Sequence, residues 1–221
     1  MKILVSYGPV AVPVDSMRLI TNRSTGSTGE FLCKGLRKLG FEIVVLRAKT
    51  CPPLQVEGIE EIPFETFEPF RTLLREQLGK HEFWGVIHLA AVADYSVDRI
   101  EFGDKRIEGS KLLNSKLDSS DAPVIYLKSN EKLLGRIREW SRNPHSIIVG
   151  FKYTVEEDSS KIPAMLSGGR VDFVVHNWCT GIEGSRHEFK IYSRDEKQVE
   201  SGASKGDLVN QLGSLMGREK L

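Results

Sequence analysis

MKILVSYGPVAVPVDSMRLITNRSTGSTGEFLCKGLRKLGFEIVVLRA, residues 1–48, holds two short apolar runs with one helical stretch between them, and that order decides the fold class. Ile3 to Tyr7 is a β-branched run that stops at Gly8-Pro9, the pattern of a buried parallel strand ending in a loop. Residues 30–39, EFLCKGLRKL, place Phe31, Leu32, Leu36 and Leu39 at helical spacing and halt at Gly40, which reads as the glycine just past a helix end. The second strand, FEIVVLRA at 41–48, follows at once.

Downstream the alternation repeats. A Pro-containing loop at Pro52 and Pro53 leads to a weak strand at 59–63, a helix over 65–79, and the apolar run WGVIHLAAVA at 84–93. After a polar segment, strands at 123–128, 146–153 and 171–177 alternate with helices at 130–141 and 157–167. HEFKIYS at 187–193 and a helix over 204–217 complete the chain. Strand and helix at this spacing predict an α/β fold, doubly wound around a mostly parallel, Rossmann-like sheet. Residues 96–121 lack a clean period and read as a long loop or a short antiparallel excursion, so that 96–128 is the one candidate subdomain of a single domain spanning 1–221.

Composition narrows the partners. Lys plus Arg number 31 against 30 Asp plus Glu, a net charge of +1. That balance offers no large field to attract nucleic acid or anionic lipid, so small molecules are expected. Cys33, Cys51 and Cys179 are scattered and form no CxxC pair, which fits free thiols in a reducing compartment. No apolar run reaches signal-peptide or membrane-span length, so a soluble, cytoplasmic protein is expected. The five histidines show no HxH or HExxH spacing, so no dedicated metal cage is expected.

In an open parallel sheet, ligands bind beyond the carboxyl ends of the strands. TNRSTGSTG, residues 21–29, sets small hydroxyl residues and glycines before a helix, an arrangement suited to a phosphate or carboxylate. The alternative is that Ser24 or Thr25 only caps the helix while the glycines turn the chain. LAAVADY at 89–95 ends its strand in small residues that let a flat base or sugar approach the backbone, with Asp94 at the rim. Hydride transfer is disfavoured, because no GxGxxG follows the first strand, and Tyr95 is followed four residues later by Arg99 where a Tyr-x-x-x-Lys pair needs lysine.

Five segments in order, GPVAVPVDSMRLITNRSTGSTG (8–29), AAVADY (90–95), SKLDSS (115–120), VGFKYT (149–154) and VDFVVHN (171–177), resemble phosphopantothenoylcysteine synthetase. The likeness spans residues 1 to about 215. It rests in particular on Gly8, Pro9, Pro13, Asp15, Arg18, Asn22, Ser24 and Gly26, on Ala90, Ala91, Ala93, Asp94 and Tyr95, and on the pair Lys116-Leu117.

The resemblance implies a ligase in which the carboxylate of 4'-phosphopantothenate attacks the α-phosphate of CTP or ATP, supplied with Mg2+, and releases pyrophosphate. The amine of cysteine then displaces the nucleotide from the acyl-nucleotide. By the same resemblance Lys116, on a mobile loop, stabilises the α-phosphate, and Asn22 hydrogen-bonds the acyl carbonyl. Arg18, Asn22, Ser24, Thr25 and Gly26 hold the pantothenate anion, in part across a homodimer interface. Gly8, Ala90, Ala91, Asp94 and Phe151 line the nucleotide pocket with Lys116. The flavin-dependent decarboxylase half carried by many bacterial members is not expected here, nor is flavin.

Several positions depart from the family pattern. Val10 stands for Thr, Glu131 for Pro, and His176-Asn177-Trp178 for Ala-Asn-Asp. The lysines that bind the triphosphate in the family are replaced by AMLSGGR at 164–170, leaving Lys161 before it and Arg170 at its end. A diverged, non-catalytic nucleotide- or pantothenate-binding homologue is therefore the alternative reading.

Overall fold

The computed structural model describes residues 1–114, 116–117, 122–195 and 197–218. The chain opens with β1 (Lys2–Tyr7), a short arm of β2 (Val12–Pro13) and β3 (Leu19–Ile20), α1 (Ser27–Lys38) and β4 (Glu42–Ala48). Next come β5 (Ile59–Phe64), α2 (Phe67–Lys80), β6 (Gly85–His88), β7 (Tyr95–Phe102) and β8 (Lys105–Glu108). The short α3 (Ser110–Leu113), β9 (Val124–Ser129), α4 (Ile137–Trp140), β10 (Ile147–Thr154) and α5 (Ile162–Leu166) follow. The last elements are β11 (Phe173–Glu183), β12 (Arg186–Ser193), β13 (Gln198–Gly202) and α6 (Lys205–Arg218).

The main sheet has eight strands in the order β13-β12-β11-β10-β6-β1-β4-β5. From β11 to β5 the neighbours run parallel, while β12 and β13 are added antiparallel at one edge. Ile3, Leu4 and Val5 of β1 are fully buried because helices cover both faces of the sheet. On one face α1 packs against α6, so closely that a Cβ on Gly35 would meet Val209, and Met216 of α6 lies over Gly85. On the other face Phe70 of α2 stacks on His88, with centroids 6.0 Å apart, while Leu134 and Met165 cover Gly150.

The buried stripe of α1 is Gly29, Leu32, Cys33 and Leu36, an i, i+3, i+4, i+7 set. Phe31 and Leu39, expected on that stripe, fall off it and are 45% and 51% exposed. Gly40 ends the helix as expected: at φ 90° its N–H bonds Arg37 O at 3.1 Å, and the Phe41 N–H bonds Leu36 O at 3.2 Å.

Over 96–128 the structure takes the antiparallel excursion rather than the loop: β7 and β8 pair antiparallel and α3 follows, while β9, expected in the parallel sheet, joins β7 in a three-stranded antiparallel sheet. The reason is burial: a central parallel strand is covered on both faces, whereas in β9 only Ile125 is sheltered against a core. Ile125 pairs with Ile100 in the register of this sheet. Val97, Ile100 and Phe102 of β7 join Val12, Val14, Leu112 and Leu117 in a second, smaller core. Elsewhere the expected helices are shorter, with 130–141 a 3-10 turn followed by α4 and 157–167 reduced to α5. The strand expected over 84–93 ends at His88, and the five residues beyond it line the main cleft or pack on its floor. No helix among the described residues is long and apolar enough to cross a membrane.

Candidate functional site

The carboxyl ends of β1, β6, β10 and β11 open into a cleft of about 1300 Å³. Its floor is one hydrogen-bonded unit. The Ala91 N–H donates to Gly8 O at 2.9 Å, the Val10 N–H donates to Ala91 O at 3.1 Å, and the Asn22 amide nitrogen donates to the same carbonyl at 3.0 Å. Segments 8–10, 22 and 89–91, distant in sequence, are thereby fixed in register.

Asn22 leads directly into the start of α1. The helix is capped by Gly26 in the left-handed region (φ 73°), a residue with no side chain to cap it. Ser24 and Thr25 therefore do not act as the helix cap; Thr25 Oγ1 makes only a long 3.4 Å contact with the Ser27 N–H. A side chain at Gly26 would strike Cys51 and Tyr7, and one at Gly29 would strike Tyr7 again. These glycines let the helix start sit against the strand end with its N–H groups facing the cleft.

Gly8, Asn22, Ser24, Thr25, Gly26, Ala91, Asp94 and Phe151 all line the cleft. Ala90 belongs to the same floor, with its side chain against the main core. Arg18 and Lys116 stand apart, outside the cleft lining of the single chain. Arg18 pairs at 2.9 Å with Asp15, whose carboxylate also accepts the N–H groups of Met17, Arg18 and Leu117 at 2.8, 2.8 and 3.0 Å. Burial opposes ionisation of Asp15, yet those N–H donors and the Arg18 guanidinium hold its carboxyl below the usual range. Lys116 is exposed and precedes the anchored Leu117. Ser115 and residues 118–120 of the SKLDSS motif lie outside the described residues.

The sequence reading missed several lining residues. Lys132 forms an exposed ion pair with Asp94, while Asn130 holds the same loop by its N–H to Asp94 O at 2.8 Å and its amide nitrogen to Ala93 O at 3.0 Å. Glu131, which departs from the family pattern, is committed to Arg71 at 2.8 Å and Arg136 at 2.9 Å. Arg23, Lys152, Arg170 and Lys205 add positive charge to the lining, against the acidic Asp94 and Glu131. The cleft thus favours an anionic ligand although the chain as a whole is nearly neutral. Nothing local in the sequence singles out Arg23, Lys132 or Lys205; the sheet order brings them together with Lys152 and Arg170.

His88 and His187 also line the cleft. Burial pushes His88 down to about 4, and its Nδ1 lies 2.7 Å from the Ser6 hydroxyl. Among the described residues no cluster of three or more His, Cys, Asp or Glu side chains is placed to hold a metal ion.

An open, mostly parallel sheet flanked by helices, with its cleft across the carboxyl edge, defines a Rossmann-like α/β domain. The chain belongs to the DNA/pantothenate metabolism flavoprotein family, as its C-terminal domain, whose family model matches residues 1–216. Among curated relatives, the coenzyme A biosynthesis bifunctional protein CoaBC of Thermococcus kodakarensis is 25% identical over 215 residues, 96% of this chain and 49% of that protein. The CoaBC protein of Vibrio vulnificus strain CMCP6 is 23% identical over 223 residues, covering 97% of this chain and 52% of that protein. The chain thus spans about half the length of these curated relatives. The structure described as the DNA/pantothenate metabolism flavoprotein from Streptococcus pneumoniae superposes with a TM-score of 0.84 at 22% identity, covering 99% of both chains. A Cab2 H337A mutant in complex with phosphopantothenate-cysteine superposes with a TM-score of 0.75 at 16% identity, covering 99% of this chain and 88% of that one. At these identities the structural likeness establishes the fold.

Proposed function

We propose that this domain is a phosphopantothenate-cysteine ligase of coenzyme A biosynthesis, a carbon-nitrogen ligase that uses CTP or ATP. The observation that carries the reading is the bond from Asn22 to Ala91 O, which brings the α1 phosphate cradle and the small-residue strand end to one anionic-ligand cleft. The names of the relatives, and the product bound to the Cab2 mutant, support the same chemistry.

In this scheme the carboxylate of 4'-phosphopantothenate attacks the α-phosphorus, the bond to pyrophosphate breaks, and an acyl-nucleotide forms. The cysteine amine then attacks the acyl carbon, the nucleoside monophosphate leaves, and the amine gives up a proton. Asn22, Ser24, Thr25 and Gly26 position the pantothenate portion, and Gly8, Ala90, Ala91, Asp94 and Phe151 frame the nucleotide. Both steps build negative charge on phosphate oxygens, which fixed cations stabilise most effectively away from water. Arg170, the one cation within AMLSGGR, and Lys152 line the cleft and supply positive charge where the family has its lysines. With no cluster of three or more His, Cys, Asp or Glu among the described residues placed to hold a metal, Mg2+ would be held chiefly by the triphosphate itself.

A cytoplasmic homodimer completes the proposal. Met17, Leu19 and Ile20 on the arm, with Tyr95, Val124 and Leu127 on the small sheet, are exposed apolar side chains around the second core. Burying them against a second copy would bring Arg18 and Lys116, which stand apart from the cleft in one chain, to the place where two copies meet. The direct test is pyrophosphate release with phosphopantothenate and CTP or ATP, with and without cysteine. Release that depends on phosphopantothenate, with peptide product only when cysteine is present, supports the ligase. Nucleotide or pantothenate binding without turnover supports the non-catalytic homologue, the reading motivated by AMLSGGR at 164–170 and by His176-Asn177-Trp178.

A further inference from the structure

His187 is 2% exposed, yet neither of its ring nitrogens has a hydrogen-bond partner among the described residues. A buried imidazole left without partners is costly and calls for a ligand or a solvent partner. Its burial and the nearby Lys205 ammonium hold it down to about 4, so at neutral pH it offers one N–H donor and one acceptor.

The neighbours of His187 specify what it faces. His187 and Lys205 line the same cleft as Ser27, Thr28 and Gly29 of the first turn of α1. The Lys205 ammonium donates to Ser27 Oγ at 3.0 Å, so this cation is already held at the helix start. The 12-residue α1 has no side-chain cap, and the Glu30 N–H closes on Gly26 O at 3.0 Å, leaving the turn before it open to the cleft. The start of α6 differs. There the Ser204 hydroxyl donates to Asp207 at 2.8 Å and the Asp207 N–H returns to Ser204 at 3.1 Å, so that helix satisfies its own terminus.

Phe189, two residues beyond His187 and on the same face of β12, packs toward Asp207 of α6 next to Gly202. His187 therefore looks to the α1–α6 side of the sheet, whereas Leu134 and Met165 line the cleft from the opposite side, over Gly150. A helix N-terminus, a lysine and an orphan imidazole donor converge at one end of the cleft. That combination matches a tetrahedral phosphate dianion, with several oxygens to satisfy and two charges to offset.

We propose that His187 and Lys205, with the first turn of α1, form a phosphate subsite in which His187 sets the preference for a phosphorylated ligand. This rests on the ligase reading for the identity of the ligand: the group is the ester phosphate of phosphopantothenate or the terminal phosphate of the nucleotide.

The test is calorimetric binding to the full chain and to two variants, Lys205→Met, which keeps the apolar stem of a half-buried side chain, and His187→Asn, which keeps a donor and an acceptor. The probes are phosphopantothenate, pantothenate without its phosphate, CTP, ATP and inorganic phosphate, and thermal melts establish that each variant is folded. The expected result is a loss of at least about tenfold in affinity for phosphopantothenate in both variants, the scale of one charge-assisted hydrogen bond, with pantothenate affected less than about twofold. The same loss on CTP or ATP instead assigns the subsite to the nucleotide and sustains it. Should wild type ignore phosphopantothenate but bind inorganic phosphate in a Lys205-dependent manner, the subsite stands and the ligase reading falls. Equal weakening of pantothenate and phosphopantothenate overturns the subsite, as does unchanged binding of every phosphate probe by the folded variants or no phosphate binding by wild type.

Discussion

The carboxylate of Asp15 accepts the N–H of Leu117 at 3.0 Å across 102 residues of sequence, and so ties the arm that carries Arg18 to the segment that carries Lys116. The Arg18 guanidinium also reaches the Leu117 carbonyl at 3.5 Å. Leu117 itself is buried in the second core. The position of Lys116 is thus set by a buried carboxylate and an apolar anchor, while its own side chain stays exposed.

Asp15→Asn is expected to loosen this anchor. The amide keeps the volume but offers a weaker acceptor to three N–H donors and no partner charge to Arg18, a loss of about 1–3 kcal/mol for a buried, charge-assisted group. Because the folded state holds the Asp15 carboxyl below its usual value, its contribution is complete above the ordinary aspartate range and fades as the pH falls through the lowered one. Thermal melts at neutral pH measure the loss, and pyrophosphate release should fall further than stability if Lys116 must be held in register. A variant as stable and active as wild type removes Asp15 from any such role.

Lys116→Gln separates chemistry from folding. An exposed lysine contributes little to stability, so the melting temperature should stay within about 1–2 °C of wild type. If the ammonium meets the α-phosphate when a second copy or a closed loop brings it there, pyrophosphate release should drop by about 100-fold or more, the scale of losing one fixed charge from a transition state. Wild-type turnover would make Lys116 a solvated surface residue.

His88 gives the fold an acid-sensitive point beneath the cleft. Its value is lowered from 6.5 to about 4 by burial, so the unfolded chain takes up a proton first as the pH falls. Its stabilising contribution is therefore complete above pH 6.5 and is lost progressively down to about pH 4, with a slope near 1.4 kcal/mol per pH unit. His187 adds a loss of the same sign over the same range. Denaturant midpoints at pH 7.5 and pH 5 should differ clearly in wild type and by less in His88→Gln, which keeps a polar partner for Ser6. Equal pH dependence in the two proteins would show that His88 is not buried in solution.

Much of the architecture was legible because residues 3–7, 41–48 and 146–153 are mostly apolar, β-branched-rich runs, and few structures other than a covered parallel sheet can bury them. The small sheet was legible only as a possible antiparallel excursion, and β9's place in it was not, since β7 and β9 mix charges with apolar residues and obtain their core from Val12, Val14 and Leu117, far away in sequence. For the site, TNRSTGSTG and LAAVADY stood out as a hydroxyl- and glycine-rich helix start and a small-residue strand end, and both border the cleft, while Asn22 was singled out by the family resemblance. Lys132, His187 and Lys205 have ordinary local surroundings and acquire meaning only when the sheet order β12-β11-β10-β6-β1 brings their loops to one edge.

Leu127 tests the proposed pairing of two copies. It is 52% exposed on β9, and a carboxylate there should cost the monomer little. Leu127→Asp is expected to shift the mass in solution from dimer to monomer, while the circular dichroism spectrum stays unchanged. A wild-type chain that is already monomeric at micromolar concentration, with or without ligand, would rule out the dimer.

Asn22→Asp distinguishes a structural amide from a catalytic one. In the folded chain the Asn22 amide nitrogen donates to Ala91 O at 3.0 Å, and an aspartate would face that carbonyl with a second acceptor. The side chain is exposed, so solvent can satisfy both oxygens, and the structural loss should be about 1 kcal/mol or less, a shift of a few degrees in Tm. The start of α1, five residues on at Ser27, even favours a negative charge and offsets part of that loss. Catalysis should respond differently. A carboxylate in the cleft repels the pantothenate carboxylate and the α-phosphate, and it removes the donor that would hold the acyl oxygen during attack by cysteine. Product formation should therefore fall by about 100-fold or more, with the acyl-nucleotide accumulating if the second step is the more sensitive one. Mass spectrometry of quenched reactions resolves the intermediate, and a melt recorded on the same preparation separates folding from chemistry. Wild-type rates of phosphopantothenoylcysteine formation in a folded Asn22→Asp protein would leave Asn22 as a floor-tying residue only and remove it from the reaction.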